Sequence, residues 1–327
     1  MIVSPKTPAP NKDGFAYLVM AHHKGEQLLR LLNALRQGSP ESHIFLHHDA
    51  KATPPPQASL NDLRVQLVHP RISVRWGDTS QVDAILTGIR FALANCRFSW
   101  LSVISGQDYP VRSLLTIEAE LRACQFDAFV KATPAGPYMG RYLARFWALP
   151  RFPYSYRIPI RLRGALSRAR YWLNCRQSLV RIESGPRGTP SQIGIYRPFN
   201  PFGKDLICYK GSDWFTLSRT AVEYLLEYGR KHPDILEYYR RTCIPSESYF
   251  QTVLWNAKTL RVCNENRRYI RWDHGNTAHP TTLTMQHFNA MIGSGKDFGR
   301  KFDMDVDAEV LDHLDEVVIG SRQATTN

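Results

Sequence analysis

Short apolar runs alternate with stretches of helical periodicity along the first 130 residues. Residues 16–21 (Ala-Tyr-Leu-Val-Met-Ala) have the length of a buried strand, and residues 26–35 then repeat leucine at helical spacing. His43 to Asp49 predicts a second strand ending in polar residues, Val65 to Val68 a third, and Ser80 to Asn95 a second helix. A fourth strand follows at Trp100 to Ser105, a helix at Leu114 to Cys124, and a fifth strand at Phe126 to Val130. Strand and helix in alternation predict an α/β fold, a mostly parallel sheet flanked by helices. In such sheets ligands bind beyond the carboxyl ends of the strands. Three polar clusters fall there: His22-His23-Lys24, Asp49-Ala50-Lys51 and Gln107-Asp108. Each follows an apolar strand, which points to one shared pocket.

Residues 134–204 break the rhythm. They are rich in proline, arginine and aromatics, and the expectation is an irregular excursion with one helix near 164–175. Regular structure resumes at Leu206 to Tyr209, with helices expected at 219–230, 246–257, 284–292 and 308–317. The division expected is a short disordered lead over 1–14, one domain over 15–320 and a tail over 321–327.

Charge changes the picture next. The chain of 327 residues has a formal net charge of +13. Between Arg141 and Arg187 eleven arginines meet a single acidic residue, Glu183. Such a face suits nucleic acid, anionic lipid or a phosphorylated substrate, or is simply solvated. No nucleic-acid module is visible, so nucleic acid is the less favoured partner. No run of about 18 apolar residues marks a membrane span, and the first residues lack the apolar core of a signal peptide. The expected location is cytoplasmic, with peripheral contact at the inner face of an anionic membrane. The six cysteines form no close pair and no CxxC spacing, which argues against a disulfide framework or a zinc site.

Glu247 lies in Ile244-Pro245-Ser246-Glu247-Ser248-Tyr249-Phe250-Gln251, at the mouth of a predicted helix that Ser246 would cap. A carboxylate there is favoured by the helix dipole, so capping alone accounts for it. A glycoside hydrolase would need a second carboxylate opposite Glu247, and spacing shows none. The histidine pairs 22–23 and 47–48 cannot chelate as units, because adjacent strand residues point to opposite faces. Asp303-Met304-Asp305-Val306-Asp307 holds two DxD triplets, but in the last tenth of the chain, away from the sheet-strand end where a metal-binding DxD belongs. Asp108 either fixes the turn before Tyr109-Pro110 or bonds a ligand hydroxyl. Trp214 either packs in the core or stacks on a ligand ring.

Four segments in order carry a family resemblance: Ser105-Gly106-Gln107-Asp108-Tyr109-Pro110, Tyr209 to Leu217, Ile244 to Gln251, and Arg300-Lys301-Phe302-Asp303. Together they resemble the core-2/I-branching glycosyltransferases, a family that also contains the peptide O-xylosyltransferases. The resemblance implies a GT-A-type, Rossmann-like fold. It also implies an inverting, metal-independent transfer from a UDP-sugar, with N-acetylglucosamine or xylose as the sugar. The acceptor hydroxyl would belong to a carbohydrate, a lipid-linked compound or a small molecule. Glu247 matches the general base of the family's Pro-Asp/Ser-Glu sequence, with Ser246 where aspartate is commoner. Ala21, His22, His23, Asp49, Ala50 and Lys51 match positions that hold uridine, and Trp76 an aromatic lining the same site. Lys301 matches the diphosphate lysine, with Arg300, Arg268 and Arg271 as further cations and His279 where an arginine is found. Asp108, Arg141 and Trp214 fall on the acceptor side. No metal or other cofactor is implied.

Overall fold

A computed structural model of the chain describes residues 14–22, 25–148, 160–176, 179–183, 192–273 and 280–319. A seven-stranded sheet runs through it: β1 (Gly14–Ala21), β2 (His43–His48), β3 (Val65–Leu67), β4 (Phe98–Ser105), β5 (Ala128–Phe129), β6 (Phe215–Ser218) and β7 (Val262–Cys263). Their spatial order is β7-β5-β6-β4-β1-β2-β3. β1 pairs in parallel with β2 and β4, β3 with β2, and β7 with β5. β6 enters antiparallel between β4 and β5. The mostly parallel sheet is therefore present, with one reversed strand third from its edge. The run at 126–130 does not lie beside β4 but one strand further out.

β1 is buried on both faces because helices cover both. Tyr17 and Val19 pack on the side of Leu28, Leu31 and Leu35 from the helix Gly25–Gly38, together with Leu311 and Leu314 from the helix Glu309–Ile319. Ala16 and Leu18 face the other way, toward Val82, Ile85 and Ile89 of the helix Ser80–Asn95. Period two on the strand thus meets period 3.6 on each helix. Burying one such leucine or isoleucine contributes about 1.5–3 kcal/mol. Gly88 lets that second helix approach closely, since a Cβ there would sit 2.6 Å from Leu18 Cδ1.

The excursion is more ordered than its composition suggests. It holds the helix Ile160–Arg176, longer at its start than expected. It also holds a three-stranded antiparallel sheet of Ala144–Ala148, Gln192–Tyr196 and Val180–Glu183. These strands have four or five residues each, too short to stand out among arginines and prolines. A trace of alternation exists, with Ala144 and Phe146 buried and Arg145 and Trp147 exposed.

Two further corrections matter for the site. The helix expected from 246 runs from Tyr249 to Trp255, and Pro245–Glu247 forms a separate 3-10 turn that Ser246 does not cap. Gly14, placed in the lead by the sequence reading, opens β1, while the rest of the lead and the tail over 321–327 lie outside the described residues. All six cysteines are free thiols, Cys208 and Cys243 buried and Cys175 exposed. No helix among the described residues is long and apolar enough to cross a membrane.

Candidate active site

The polar clusters at the strand ends come together. Asp49, just beyond β2, donates its backbone N–H to Ala21 O at the end of β1 (2.8 Å). Past β4, Gly106 N–H donates to Met20 O at 2.9 Å, and a Cβ on Gly106 would lie 3.2 Å from Ala21 Cβ. Asp49 is 4% exposed. Its Oδ1 accepts from Lys51 N (2.8 Å) and its Oδ2 from Val74 N (3.2 Å), with Lys51 Nζ 3.6 Å away. Ala50, exposed, donates its N–H to Ile72 O. His22 is exposed at the end of β1, and His23 lies outside the described residues. His47 and His48 point into the protein. Burial pushes the His47 imidazole down to about 4, and its Nε2 accepts from Ile72 N at 3.0 Å.

The loop that receives Asp49 carries on past Trp76, 43% exposed, to Gly77. Gly77 O accepts from Ile244 N at 2.9 Å. Ile244 has φ 53°, a left-handed conformation that turns the chain into the 3-10 turn carrying Glu247. One loop therefore ties the strand-end cluster to the predicted base.

Glu247 is partly exposed. Its Oε2 pairs with Lys210 Nζ at 3.0 Å, and that ammonium also lies 4.9 Å from the centre of the Tyr138 ring. Arg141 flanks the same ring at 5.3 Å and pairs with Glu183 at 3.3 Å. Lys210 reaches this place because strand Tyr209–Gly211 pairs with Ala132–Pro134. Gly211 is required there, since a Cβ would stand 1.9 Å from Lys131 O.

A second carboxylate stands beside Glu247, and sequence spacing did not reveal it. Asp213 Oδ2 accepts from Gln81 Nε2 at 3.2 Å, while its Oδ1 is buried without a hydrogen-bond partner. Burial, and then the charge of Glu247, push the Asp213 carboxyl up to about 7, with Ser246, Arg300 and Gln81 pulling the other way. Part of the residue touches solvent, but the buried Oδ1 sets its chemistry. The only hint in the sequence was its place in Gly-Ser-Asp-Trp after an apolar strand.

Next to it, Trp214 is 9% exposed and belongs to the core, with the Arg300 guanidinium 4.6 Å from its ring centre. Arg300 also donates to Ser105 Oγ and, at 2.6 Å, to Asp108 Oδ1. Asp108 is fully buried, and its Oδ2 accepts from Ser105 N at 3.1 Å. Between the two uses considered for Asp108, its contacts here are those that hold the turn. Arg268, 4% exposed, donates to Asn266 O and Val103 O. Arg271 is engaged by Asp273 at 2.6 Å.

Lys301 sits beside Gly106 and Gln107, because Phe302 N donates to Gln107 O at 2.9 Å and the buried Gln27 donates to both Gly106 O and Phe302 O. Its ammonium makes no ion pair among the described residues. The acidic run that follows serves the fold. Asp307 accepts from Met285 N at 2.9 Å and from Val310 N at 3.1 Å, at the start of the last helix. Among the described residues no three His, Cys, Asp or Glu side chains are grouped as a metal's ligands. His279 lies outside the described residues.

Contacts and, between Glu247, Asp213 and Arg300, electrostatic proximity form a ring around the carboxyl ends of β1, β2 and β4. It runs from Ala21 to Asp49, through the loop to Ile244 and Glu247, across Asp213 to Arg300, and back through Ser105 and Gly106. A mostly parallel sheet with helices on both faces and its polar residues gathered at the carboxyl edge is a GT-A-type fold. The family model described as core-2/I-branching enzyme matches residues 15–156 and 174–292, and the chain belongs to that family.

Relatives agree. Xylosyltransferase 1 of Rattus norvegicus is 25% identical over 344 residues, covering 97% of this chain and 37% of its own. Xylosyltransferase 2 of Homo sapiens is 27% identical over 334 residues, covering 94% and 34%. Beta-glucuronosyltransferase GlcAT14B of Arabidopsis thaliana is 36% identical over 114 residues, covering 34% and 26%. The chain thus spans only about a quarter to a third or so of the length of these relatives.

Proposed function

We propose that this protein is an inverting, metal-independent glycosyltransferase moving a sugar from a UDP-sugar to an acceptor hydroxyl. The observation that carries the reading is Glu247, a part-exposed carboxylate held by Lys210 inside the ring of strand-end contacts, at the position of the family's base. Family membership favours transfer over the rival reading, a basic protein that only binds nucleic acid or an anionic surface.

In the proposed reaction Glu247 takes the proton of the acceptor hydroxyl. The hydroxyl oxygen forms a bond to the anomeric carbon from the face opposite UDP, and the bond from that carbon to the diphosphate oxygen breaks. Lys301, without an ion-pair partner among the described residues, meets the charge that develops on the diphosphate. Arg300 and Arg268 lie behind it as fixed positive charges. Ala21, His22, His23, Asp49, Ala50, Lys51 and Trp76 hold the nucleotide, and Arg271 adds positive charge at the rim. Arg141 and Trp214 border the acceptor side.

N-acetylglucosamine and xylose are the sugars expected from sequence. The names of the relatives support xylose and bring in glucuronate. The test is a screen of UDP-GlcNAc, UDP-xylose, UDP-glucose and UDP-glucuronate for slow UDP release, repeated with Glu247→Gln. That variant should lose about 10²–10⁴-fold in turnover with UDP affinity nearly constant. Near-normal turnover would remove Glu247 from the mechanism.

A further inference from the structure

Away from the Glu247 site, a cavity of about 550 Å³ opens between the excursion's three-stranded sheet and the helix Pro233–Tyr239. Arg145, Arg197 and Arg241 all line it. None of the three forms an ion pair with a carboxylate among the described residues. Asp234 and Glu237 stand on its wall, but Glu237 is engaged by Arg240 at 2.8 Å. With Asp234 as the one carboxylate on the wall that forms no ion pair among the described residues, positive charge is in excess and the three guanidiniums repel one another. Burial, then the positive charges of Arg145 and Arg241, hold Arg197 below the usual arginine range, against the pull of Tyr238 and Glu237.

The wall also offers unfilled polar capacity. Tyr238 is 9% exposed, yet its hydroxyl is buried without a hydrogen-bond partner, and so is Arg197 Nε. Arg197 lies 4.1 Å from the centre of the Tyr238 ring and donates to Tyr238 O at 2.7 Å, which fixes both side chains. Beside them Trp147 and Phe199 are 41% and 71% exposed, flat apolar faces of the kind that sugar rings cover. Arginine forks match carboxylate and phosphate oxygens. The cavity combines both kinds of recognition.

We propose that this cavity binds an acidic saccharide unit, one bearing a carboxylate or a phosphate, as a remote part of the acceptor. This rests on the transferase reading above. The position fits, because Arg241 precedes Glu247 by six residues and so lies at most about 20 Å of chain from it. Two residues on, Cys243 N donates to Arg141 O at 3.0 Å, and Arg141 shares the Tyr138 ring with Lys210, the partner of Glu247. An extended acceptor anchored here by its acidic unit would present a hydroxyl near Glu247.

The test uses the full chain and two probes, a hyaluronan hexasaccharide and its carboxyl-reduced neutral counterpart, titrated by calorimetry. The acidic probe should bind at least about tenfold more tightly than the neutral one. Arg145→Ser with Arg241→Ser, both at exposed positions, should remove that preference while UDP binding stays unchanged. Tyr238→Phe, which keeps the ring and removes the unpartnered hydroxyl, should weaken the acidic probe alone. Equal binding of both probes by the wild type, or an undiminished preference in the double variant, would overturn the proposal. So would a double variant that loses only adsorption to anionic vesicles, since the cavity would then face a membrane. UDP binding is measured separately, so a protein that binds the acidic probe but no nucleotide would instead sink the transferase reading.

Discussion

Replacing Asp213 with Asn should make the protein more stable, and only above about pH 4. The argument is one of linkage. Folding raises the Asp213 carboxyl from its ordinary 3.8 to about 7, so between those values the native state binds a proton that the unfolded chain releases. Native stability therefore falls as pH rises through this window, and the loss is complete above about 7. A shift of that size corresponds to at most about 4 kcal/mol. Part of the shift comes from the charge of Glu247 and not from burial alone, so the working figure is about 1–3 kcal/mol. Asparagine keeps an oxygen for Gln81 and cannot ionise.

Thermal unfolding of wild type and Asp213→Asn across pH 4–8 measures this. At the lower end of the usual conversion, about 2 °C per kcal/mol for a large domain, the variant should gain about 2–6 °C at pH 8 and nothing at pH 4. Any cost of burying an amide at Oδ1 is an offset common to every pH, so the slope of the difference isolates the ionisation. A difference in Tm that does not change with pH would refute the reasoning, as would a wild type that gains on the variant as pH rises. Turnover should move the other way from stability, because the charge beside Glu247 is altered.

Other consequences are open to direct measurement. Activity should survive excess EDTA, and Lys301→Ala should weaken UDP binding and slow transfer by about a hundredfold; abolition by EDTA with rescue by Mn²⁺ would refute the cationic reading of the diphosphate site. The basic helix Ile160–Arg176 exposes Leu166, Tyr171 and Trp172 at 51%, 72% and 58%, which suits contact with an anionic membrane surface worth up to about 1 kcal/mol per basic residue. The protein should sediment with anionic liposomes in low salt and be released by high salt. Replacing Arg161, Arg163, Arg168 and Arg170 with Ser should abolish sedimentation, and equal sedimentation with neutral vesicles would leave these arginines as a solvated face.

What the sequence made legible followed from period and order. Ala16 to Ala21 and Ser80 to Asn95 could be read because their burial is set by local geometry, two-residue on a strand and 3.6-residue on a helix. The direction of β6 could not, since Phe215, Thr216 and Leu217 are buried on both sides and a run buried throughout carries no mark of which way it points. The acid pair was hidden for a different reason. Lys210, Asp213 and Glu247 come from two segments more than thirty residues apart, joined only when Tyr209–Gly211 pairs with Ala132–Pro134 and Gly77 receives Ile244.

The charged residues read as ligands divide by what the fold already asks of them. Asp108 and Arg268 are buried and hydrogen-bonded to the turn and carbonyls around them, so their charge acts through position. Lys301 and Glu247 keep a part-exposed face, and Glu247 is paired with Lys210. Both groups are charged residues around the same site, and burial together with the count of hydrogen bonds separates them. That count belongs to tertiary structure. A sequence therefore names the candidates for a site such as this one, and the contacts decide which of them remain available to bind.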